Sequence, residues 1–491
     1  MAIEEKTGRD FARKIALPAI LVISIIVARL IINFRSAIIL SAPVELSRCG
    51  LTVSMPLGNG WQSDSKWIFD NDSFILRSVL SIDAAAQSYA QCQYLLATKP
   101  VTAKERFDRQ AANFEGQVVQ TGQMQIDRLI VEWAKIIPVR SDIAKEETKN
   151  PDEKPAQSNV VGKSALYEMV FGVCPLAAGR HLEIEVLTQE SEEGLAWEIF
   201  ERIANNIRFS DNGLLQAGAE VVNETTSGGI KDILPDSTTQ DNRLVRFFIV
   251  SNSRGRPIGF TLDVITGENQ AGIKAAHYYY MKVPIPNEEV EFFTGDAAFE
   301  QFTWKVESRS RIVSKGIEMT GKNGFLTVNY ESGRPFGFVP GQRSDQNSPK
   351  SQGEENEYVL GPASVPDIVL DPVLRKLLAG DRQEIIVDVI MPNGTITPVY
   401  IEKKTAPATR PGQQKSEAQS IVSALRLEIL DGRGFWQQVY YDDKLEPLKM
   451  TVRQENTFDL QRATENQVAE AFPERADLVR NESQLLDREG L

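Results

Sequence analysis

The sequence predicts an α+β protein that is mostly antiparallel β-sheet and begins with one membrane-spanning helix. Three observations carry this prediction. An apolar run occupies residues 15–34, and short segments with apolar residues at alternate positions recur through residues 44–212 and 243–472. Patterns with helical spacing are few, and strands joined by short turns usually pair in antiparallel order. The 491 residues allow about two to four domains.

The composition argues against several classes of function. With 54 Lys and Arg against 67 Asp and Glu, the formal charge is −13, so the chain lacks the basic surface of a nucleic-acid-binding protein. Hydrophobic residues at 42% and charged residues at 25% are ordinary for folded domains. Two histidines and three cysteines leave little material for zinc sites or His-based catalysis. We therefore predict no nucleic-acid partner, no metal and no cofactor.

The N-terminal apolar run has the features of an uncleaved membrane anchor. Residues 1–14 carry four basic side chains, and Arg29 interrupts the apolar run that follows them. Residues 15–28 alone match a signal-peptide core in length, whereas residues 15–34 give a helix of ~30 Å, which is enough to span the hydrocarbon. A cleavage site at the end of the shorter run would need a small residue where Ile26 stands. We favour the anchor, and the cleaved signal peptide remains the alternative.

The charge asymmetry around the anchor predicts its orientation. Basic residues are more frequent before residues 15–34 than just after them. Because positive flanks stay in the cytoplasm, the N-terminus should be cytoplasmic and the chain beyond residue 36 extracytoplasmic. This predicts a single-pass protein of the inner (cytoplasmic) membrane with periplasmic C-terminal domains.

The first predicted domain spans residues 44–212 and combines strands with two helices. Thr102 followed by Glu105 forms a capping box, which predicts a helix start. A second helix is predicted over residues 193–207, because apolar residues recur there at every fourth position. Residues 213–242 are rich in Gly, Ser, Thr and acidic side chains, and we interpret them as an acidic linker with at most one short helix.

The second predicted domain spans residues 243–472 and is a long series of strands. Asn323-Gly324 and Asn393-Gly394 predict tight hairpin turns, because both residue types accept a positive φ. One helix is predicted at residues 371–378, with a proline near its start and a glycine after its end. Residues 473–491 are predicted to be a polar C-terminal tail.

The element order of residues 44–212 resembles the PsbP-like family. The residues that carry the resemblance are Met55-Pro56 and Gly60-Trp61 near the first strands and Asn206-Ile207-Arg208-Phe209 at the end of the closing helix. The resemblance implies a small α+β sandwich that acts as a non-enzymatic binding or assembly module. It assigns no functional residue.

Residues 245–472 resemble periplasmic half-barrel proteins of the LolA and LolB type, and in particular their uncharacterised two-repeat relatives. The resemblance rests on Gly259-Phe-Thr-Leu-Asp, on Val365-Pro-Asp-Ile-Val-Leu-Asp-Pro-Val-Leu, and on the hairpin at residues 435–450. It implies an incomplete antiparallel barrel wrapped on a helix, and it raises lipid carriage as a function.

Catalytic signatures are missing from the sequence. No Gly-x-Ser-x-Gly nucleophile turn occurs. Gly162-Lys163-Ser164 matches the end of a phosphate-binding loop, but Gln157 stands where its first glycine belongs. His181 and Glu183 share one face of a predicted strand, which we interpret as a solvated face because further metal ligands are lacking nearby. We predict no catalytic residue and no enzyme.

The three cysteines are candidates for one disulfide bond. Cys49, Cys92 and Cys174 all belong to the first predicted domain. They lie on the oxidising side of the membrane if the predicted orientation is right, so one pair is expected to form. Three pairings are open, and three reduced cysteines are the alternative.

Aromatic residues of the second predicted domain are candidate contacts for an apolar ligand: Phe260, Tyr278, Tyr280, Trp304 and Trp436. If such residues point inward they also fill a small barrel, so we expect a largely packed interior. The predicted function is therefore a membrane-anchored, extracytoplasmic, non-enzymatic protein that presents two β-rich domains to envelope protein partners. The alternative is a carrier or sensor of a lipid or other apolar ligand in the half-barrel, and a periplasmic hydrolase is a distant third.

Overall fold

The computed structural model describes residues 38–139, 167–229, 243–330, 356–405 and 421–486, together with Ser24 and Leu234. Short gaps within these ranges fall at residues 47, 59, 71–72, 84–85, 97–101, 178, 190–193, 211–212, 269–271, 283–285, 311–313, 432, 455 and 483–484. The fold is mostly antiparallel β-sheet with few helices, as the sequence predicts.

The N-terminal part is built on an eight-stranded sheet with the strand order β5-β7-β8-β12-β11-β10-β9, with β6 also paired to β7. Its strands are β5 (Trp61–Ser63), β6 (Ile68–Asp70), β7 (Ser73–Asp83), β8 (Ala86–Leu95), β9 (Gly116–Ile126), β10 (Leu129–Pro138), β11 (Tyr167–Ala177) and β12 (Arg180–Gln189). Two small sheets accompany it, formed by β1 (Ile39–Leu40) with β4 (Pro56–Leu57) and by β2 (Val44–Leu46), β3 (Leu51–Val53) and β13 (Arg208–Phe209).

Two helices pack on this sheet, as predicted. Helix α1 (Ala103–Asn113) starts at the predicted capping box, in which the Thr102 hydroxyl accepts from the backbone N–H of Glu105 at 3.2 Å. Helix α2 (Leu195–Asn205) buries the predicted apolar stripe in the core, including Ile199 and Ile203. The face of β12 that carries His181 is not solvated, because Arg106 of α1 pairs with Glu183 there and only 7% of His181 is exposed.

Part of the predicted linker is a third helix, α3 (Leu214–Ser227). Its Val221 and Val222 are buried against a second, fifteen-stranded sheet in the other half of the chain. This burial explains why the stretch is ordered despite its polar composition. Gly218 lies so close to the sheet that a Cβ atom there would meet the carbonyl oxygen of Ile386 at 1.9 Å. The helix therefore docks through its backbone on the strand that contains Ile386.

The second half of the chain forms one fifteen-stranded sheet. Its strand order is β21-β20-β19-β18-β17-β16-β15-β14-β28-β27-β26-β25-β24-β23-β22, and only the β22–β23 pair is parallel among these. The strands are β14 (Arg243–Asn252), β15 (Pro257–Glu268), β16 (Gly272–Met281), β17 (Asn287–Asp296), β18 (Gln301–Ser310), β19 (Ser314–Lys322), β20 (Phe325–Tyr330), β21 (Asn356–Val359), β22 (Ser364–Pro366), β23 (Glu384–Ile390), β24 (Ile396–Lys404), β25 (Ser423–Ile429), β26 (Trp436–Tyr441), β27 (Pro447–Arg453) and β28 (Thr457–Ala463).

The large sheet wraps around helix α4 (Leu370–Ala379), which follows a short 3-10 turn at Asp367–Val369. Residues from both halves of the sheet, such as Trp304 of β18 and Val387 of β23, join one apolar core with α4. We call the sheet face toward α4 the inner face. The arrangement agrees with the predicted strands around a helix at residues 371–378.

The outer face of the sheet is covered by the C-terminal residues. Helices α5 (Glu465–Ala471) and α6 (Ala476–Arg480) flank a 3-10 turn at Pro473–Arg475. Phe472, Val479 and Leu485 are buried against β15 and β16 residues. The second half therefore contains more than the one predicted helix. Val479 and Leu485 of the predicted polar tail pack on the sheet instead.

One of the two predicted tight turns is present. Asn323 and Gly324 both have positive φ, at 54° and 78°, between β19 and β20. At the other position the strands are separated by residues 391–395, and there only Gly394 has a positive φ. The Asn393 side chain instead accepts from the Thr395 hydroxyl at 2.7 Å, which stabilises a wider loop.

Among the residues that the structure describes, no helix is both long enough and apolar enough to cross a bilayer. The predicted span at residues 15–34 lies outside these residues, apart from Ser24.

Candidate functional site

Four charged residues form a continuous row across four neighbouring strands on the inner face. The strand register pairs Arg246 of β14 with Asp263 of β15, Asp263 with His277 of β16, and His277 with Glu291 of β17. Neighbouring strands lie ~4.8 Å apart, so the row extends over roughly 14 Å. A row of four charges inside an otherwise apolar core is costly unless its members are paired or functional.

The row lines a cavity of about 320 Å³ between the sheet and the start of α4. Apolar side chains, among them Phe248, Ile265 and Leu374, complete the walls. This volume is at the lower end of the range typical of small-molecule sites, roughly 300–1,000 Å³. The prediction of a largely packed interior is therefore wrong at this position.

Arg246 anchors one end of the row. Its Nη1 donates to Asp371 of α4 at 2.8 Å and its Nε donates to Glu446 at 3.0 Å, and only 3% of the residue is exposed. Burial alone would raise the pKa of Asp371, but the guanidiniums of Arg246 and Arg375 hold it below its ordinary value. The ionic bonds of Arg246 thus fix the start of α4 over the sheet.

His277 and Asp263 form an ion pair in the middle of the row. The His277 Nδ1 lies 2.5 Å from the Asp263 carboxylate, and each side chain keeps 27% of its surface exposed. Burial lowers the pKa of His277, but the charge and hydrogen bond of Asp263 outweigh burial and raise it to about 9. At neutral pH His277 is therefore an imidazolium.

Glu291 ends the row as a buried carboxyl group. Trp304 donates from Nε1 to it at 3.1 Å, and 5% of Glu291 is exposed. Burial raises the pKa of Glu291 to about 8, although the nearby His277 opposes the shift. Burial also raises the pKa values of Glu289 on the same strand and of Asp367 at the helix start. Because burial disfavours a charged carboxylate, all three groups are easier to protonate than in water.

Three buried polar atoms beside the row have no hydrogen-bond partner among the described residues. They are Tyr441 Oη, Arg246 Nη2 and Glu446 Oε1. Tyr441 is fully buried and lines the cavity together with Arg246. Buried polar atoms are almost always hydrogen-bonded, and an unmet one costs about 1–3 kcal/mol. Two of the three groups therefore belong to residues of the cavity wall, Arg246 and Tyr441.

A second cavity of about 220 Å³ adjoins the first. The two cavities share four wall residues, namely Asp367, Leu370, Leu427 and Gln437. Most other residues around the second cavity are apolar, including Met391, Val399, Ile429, Phe435, Trp436 and Val452. A charged compartment and an apolar one therefore meet at the start of α4.

The structure separates the five predicted ligand contacts. Phe260, Tyr278 and Tyr280 lie on the outer face, where Phe260 packs on Phe472 with ring centroids 5.3 Å apart. Trp304 is fully buried in the inner core and reaches the row through its bond to Glu291. Trp436, the fifth candidate, lines the second cavity. The prediction placed these three residues on the wrong face of the sheet, because helix α5, which covers the outer face, was not predicted.

The sequence analysis missed all four residues of the row. Each is a charged or histidine side chain within a strand whose neighbours are largely apolar, and this pattern is the signal that could have found them. Three tyrosines follow His277 on the same strand, β16. Of these, Tyr279 shares the inner face with His277 and lines the first cavity.

The three cysteines are free thiols in the structure. Cys92 pairs with Ile184 and Cys174 with Leu182, so both face the same strand β12 from opposite sides. Two strand spacings give roughly 10 Å, which is more than the ~7 Å limit for a disulfide. Burial raises the pKa of Cys174 to about 12 and that of Cys49 to about 11, with Asp388 adding to the second shift and Arg180 opposing it.

Within the described ranges, no three His, Cys, Asp or Glu side chains are arranged to hold a metal ion. Within the row, Asp263 pairs with His277, whereas Arg246 is held by Asp371 and Glu446 from outside it. Its chemistry is that of a preformed set of charges and hydrogen-bonding groups that line a cavity.

Comparison with known proteins yields no family assignment. No family model matches the chain, and no curated protein matches it. Among solved structures it is similar to the β-barrel-like protein of the domain of unknown function DUF1849 from Brucella abortus, with 8% identity, 45% of this chain and 95% of that chain covered, and a TM-score of 0.31. Neither the PsbP-like nor the LolA and LolB resemblance is supported by these comparisons.

Proposed function

We propose that the protein is a non-enzymatic binding protein whose ligand occupies the charged cavity on the inner face of the large sheet. The observation that carries the proposal is the cavity of about 320 Å³, which is bordered by the four-residue row and by unpartnered buried polar atoms. Buried charges and unmet hydrogen bonds destabilise a fold, so their concentration around an open space supports a binding role.

Carriage or sensing agrees with this arrangement better than hydrolysis does. The charged groups beside the cavity are already engaged, with Arg246 held by Asp371 and Glu446 and His277 held by Asp263. Groups fixed in this way can recognise a ligand without taking part in bond cleavage. Together with the predicted N-terminal anchor, the proposal places a ligand-binding domain at the outer surface of the inner membrane.

Native mass spectrometry of the full chain, purified in mild detergent, tests the proposal. We expect a bound small molecule on the wild-type protein. The variant Ala275→Leu should lose it, because Ala275 lines the cavity and the larger side chain fills it. Ala112→Leu, an equal change at an exposed site on α1, should retain it. Equal mass spectra for wild type and Ala275→Leu would contradict the proposal.

A role in envelope assembly is a second candidate, and the edge strand β9 favours it. Its eleven residues contain no charged side chain, and Val119 is 46% exposed. Among the described strands β9 is the last in its sheet. Uncharged edge strands of this length accept an added strand from a partner. If an extended segment of an envelope protein pairs here, Val119→Lys should abolish its crosslinking, whereas Val422→Lys at another exposed valine should not.

A further inference from the structure

We infer that the ligand is an amphipathic molecule with an ammonium head in the charged cavity and an apolar chain in the second cavity. This inference rests on the proposed function and adds the chemical class of the ligand. It follows from the charges that face the first cavity, from one unpartnered hydroxyl, and from the wall that the two cavities share.

The charges of the first cavity favour a cationic head. Asp263, Glu291 and Asp367 all line the cavity around a single cation, His277. Glu289, whose pKa is also raised by burial, lies next to Glu291 on the same face of β17. The other cation of the lining, Arg246, is already held by Asp371 and Glu446. Carboxylates thus outnumber the available cations, and a bound ammonium group would balance them.

Tyr441 provides an independent indication. Its side chain is fully buried, it lines the cavity, and its hydroxyl has no hydrogen-bond partner among the described residues. A hydroxyl oxygen can accept from an ammonium N–H, and the ring face of Tyr279 in the same wall adds a surface that attracts cations. The hydroxyl and the carboxylates therefore suit the same kind of head group.

The second cavity suits an apolar chain. Its walls include Met391, Val399 and Val452, together with Phe435 and Trp436. It adjoins the charged cavity at Asp367 and Leu370, which line both. A ligand that enters both spaces would place its charge near Asp367 and its chain beyond Leu370. Small polar molecules would leave this apolar space unfilled.

Binding of a cation next to Glu291 should depend on pH, whereas binding of a purely apolar ligand should not. Burial raises the pKa of Glu291 to about 8. A cation beside Glu291 lowers that pKa again, so binding should release protons at neutral pH. For a quaternary ammonium, which cannot titrate, affinity should increase between pH 7 and pH 9 as Glu291 ionises. The charged groups that face Glu291 are His277, Glu289 and Asp367.

Titration calorimetry of the full chain with three octyl probes tests the inference. The probes are octyltrimethylammonium, octyl glucoside and octyl sulfate, each kept below its micelle concentration. We expect the ammonium probe to bind at least about tenfold more tightly than the others, as one additional charge contact would give. Glu291→Gln should reduce that preference, because it weakens the binding of octyltrimethylammonium more than that of octyl glucoside.

Substitution in the second cavity tests the position of the chain. Val452→Trp fills this cavity, so it should weaken octyltrimethylammonium binding and leave tetramethylammonium binding unaffected. Val422→Trp, at a valine that is 57% exposed, is the matched control and should change neither.

The ligand class and the proposed binding function can be disproved separately. If octyl glucoside or octyl sulfate binds as tightly as the ammonium probe, the ligand class is wrong and the proposed binding function stands. If none of the three probes binds and native mass spectrometry shows no bound molecule, the proposed function is overturned as well.

Discussion

Arg180 donates from Nη2 to Asp388, and this buried ion pair joins strand β12 of the eight-stranded sheet to strand β23 of the fifteen-stranded sheet. The exposed fractions are 6% for Arg180 and 7% for Asp388. Arg180 also donates from Nη1 to the Tyr94 hydroxyl at 2.8 Å. The two halves of the chain are therefore coupled through a charge contact that water does not reach.

Removing one partner of this pair should weaken the whole protein. We expect Arg180→Met to lower the free energy of unfolding by about 3–5 kcal/mol, because Asp388 is left buried and unpaired. Urea denaturation followed by circular dichroism measures the loss. The double variant Arg180→Met with Asp388→Leu should recover most of it, and a double variant as unstable as the single one would argue against the pair as the cause.

The close approach of α3 to β23 gives a second prediction. Gly218→Ala should destabilise the protein by about 1–3 kcal/mol, because the added Cβ meets the carbonyl oxygen of Ile386. In an isolated helix the same change would stabilise. Limited proteolysis should then cut within residues 214–227 more rapidly than in wild type. Asn223→Ala, at an exposed position of the same helix, is the control and should remain resistant.

Local signals in the sequence predicted the elements of this fold well. The capping box at Thr102 marks the start of α1, and the fourfold apolar spacing gives α2. Gly380 ends α4 as its position after the apolar stripe indicated. Each of these features depends on residues within one or two helical turns, so the sequence alone contains the information.

The site depends on how strands pair with one another, and local sequence patterns do not determine this pairing. Asp263 and His277 are 14 residues apart and meet only because β15 and β16 pair in one register. A shift of that register by one residue would turn one of them to the other face. The extent of helix α3, where at most one short helix was expected, depends on a related cause, since its burial comes from β23, which lies far along the chain. Long-range pairing decides both features, and the local pattern marks only single charged residues within apolar strands.

The titration of the row predicts how stability depends on pH. Glu291 has a raised pKa of about 8 and His277 one of about 9, so the folded state binds more protons than the unfolded state between about pH 5 and pH 9. Stability should therefore decrease as the pH rises through this interval.

Glu291→Gln removes the contribution of the carboxyl group from this dependence. The variant should match wild type near pH 5 and exceed its unfolding free energy by on the order of 3 kcal/mol at pH 9. Urea titrations at both values measure the difference. Glu201→Gln, at an exposed position of α2, is the control and should follow wild type at both. A Glu291→Gln curve parallel to wild type would contradict the assignment.

The predicted anchor has a direct test of its own. Protease added to spheroplasts should degrade the bulk of the chain and spare only a short membrane fragment, because the charge asymmetry around residues 15–34 places the rest outside. Full protection of the C-terminal half would refute the periplasmic location.

A crystal structure of the full chain as purified tests the central claim most directly. We predict electron density for a non-protein molecule in the cavity of the large sheet, in contact with the row at His277 or Glu291 and within hydrogen-bonding distance of Tyr441 Oη. Density for ordered water alone, or side chains repacked into the space between β16 and α4, would contradict the account.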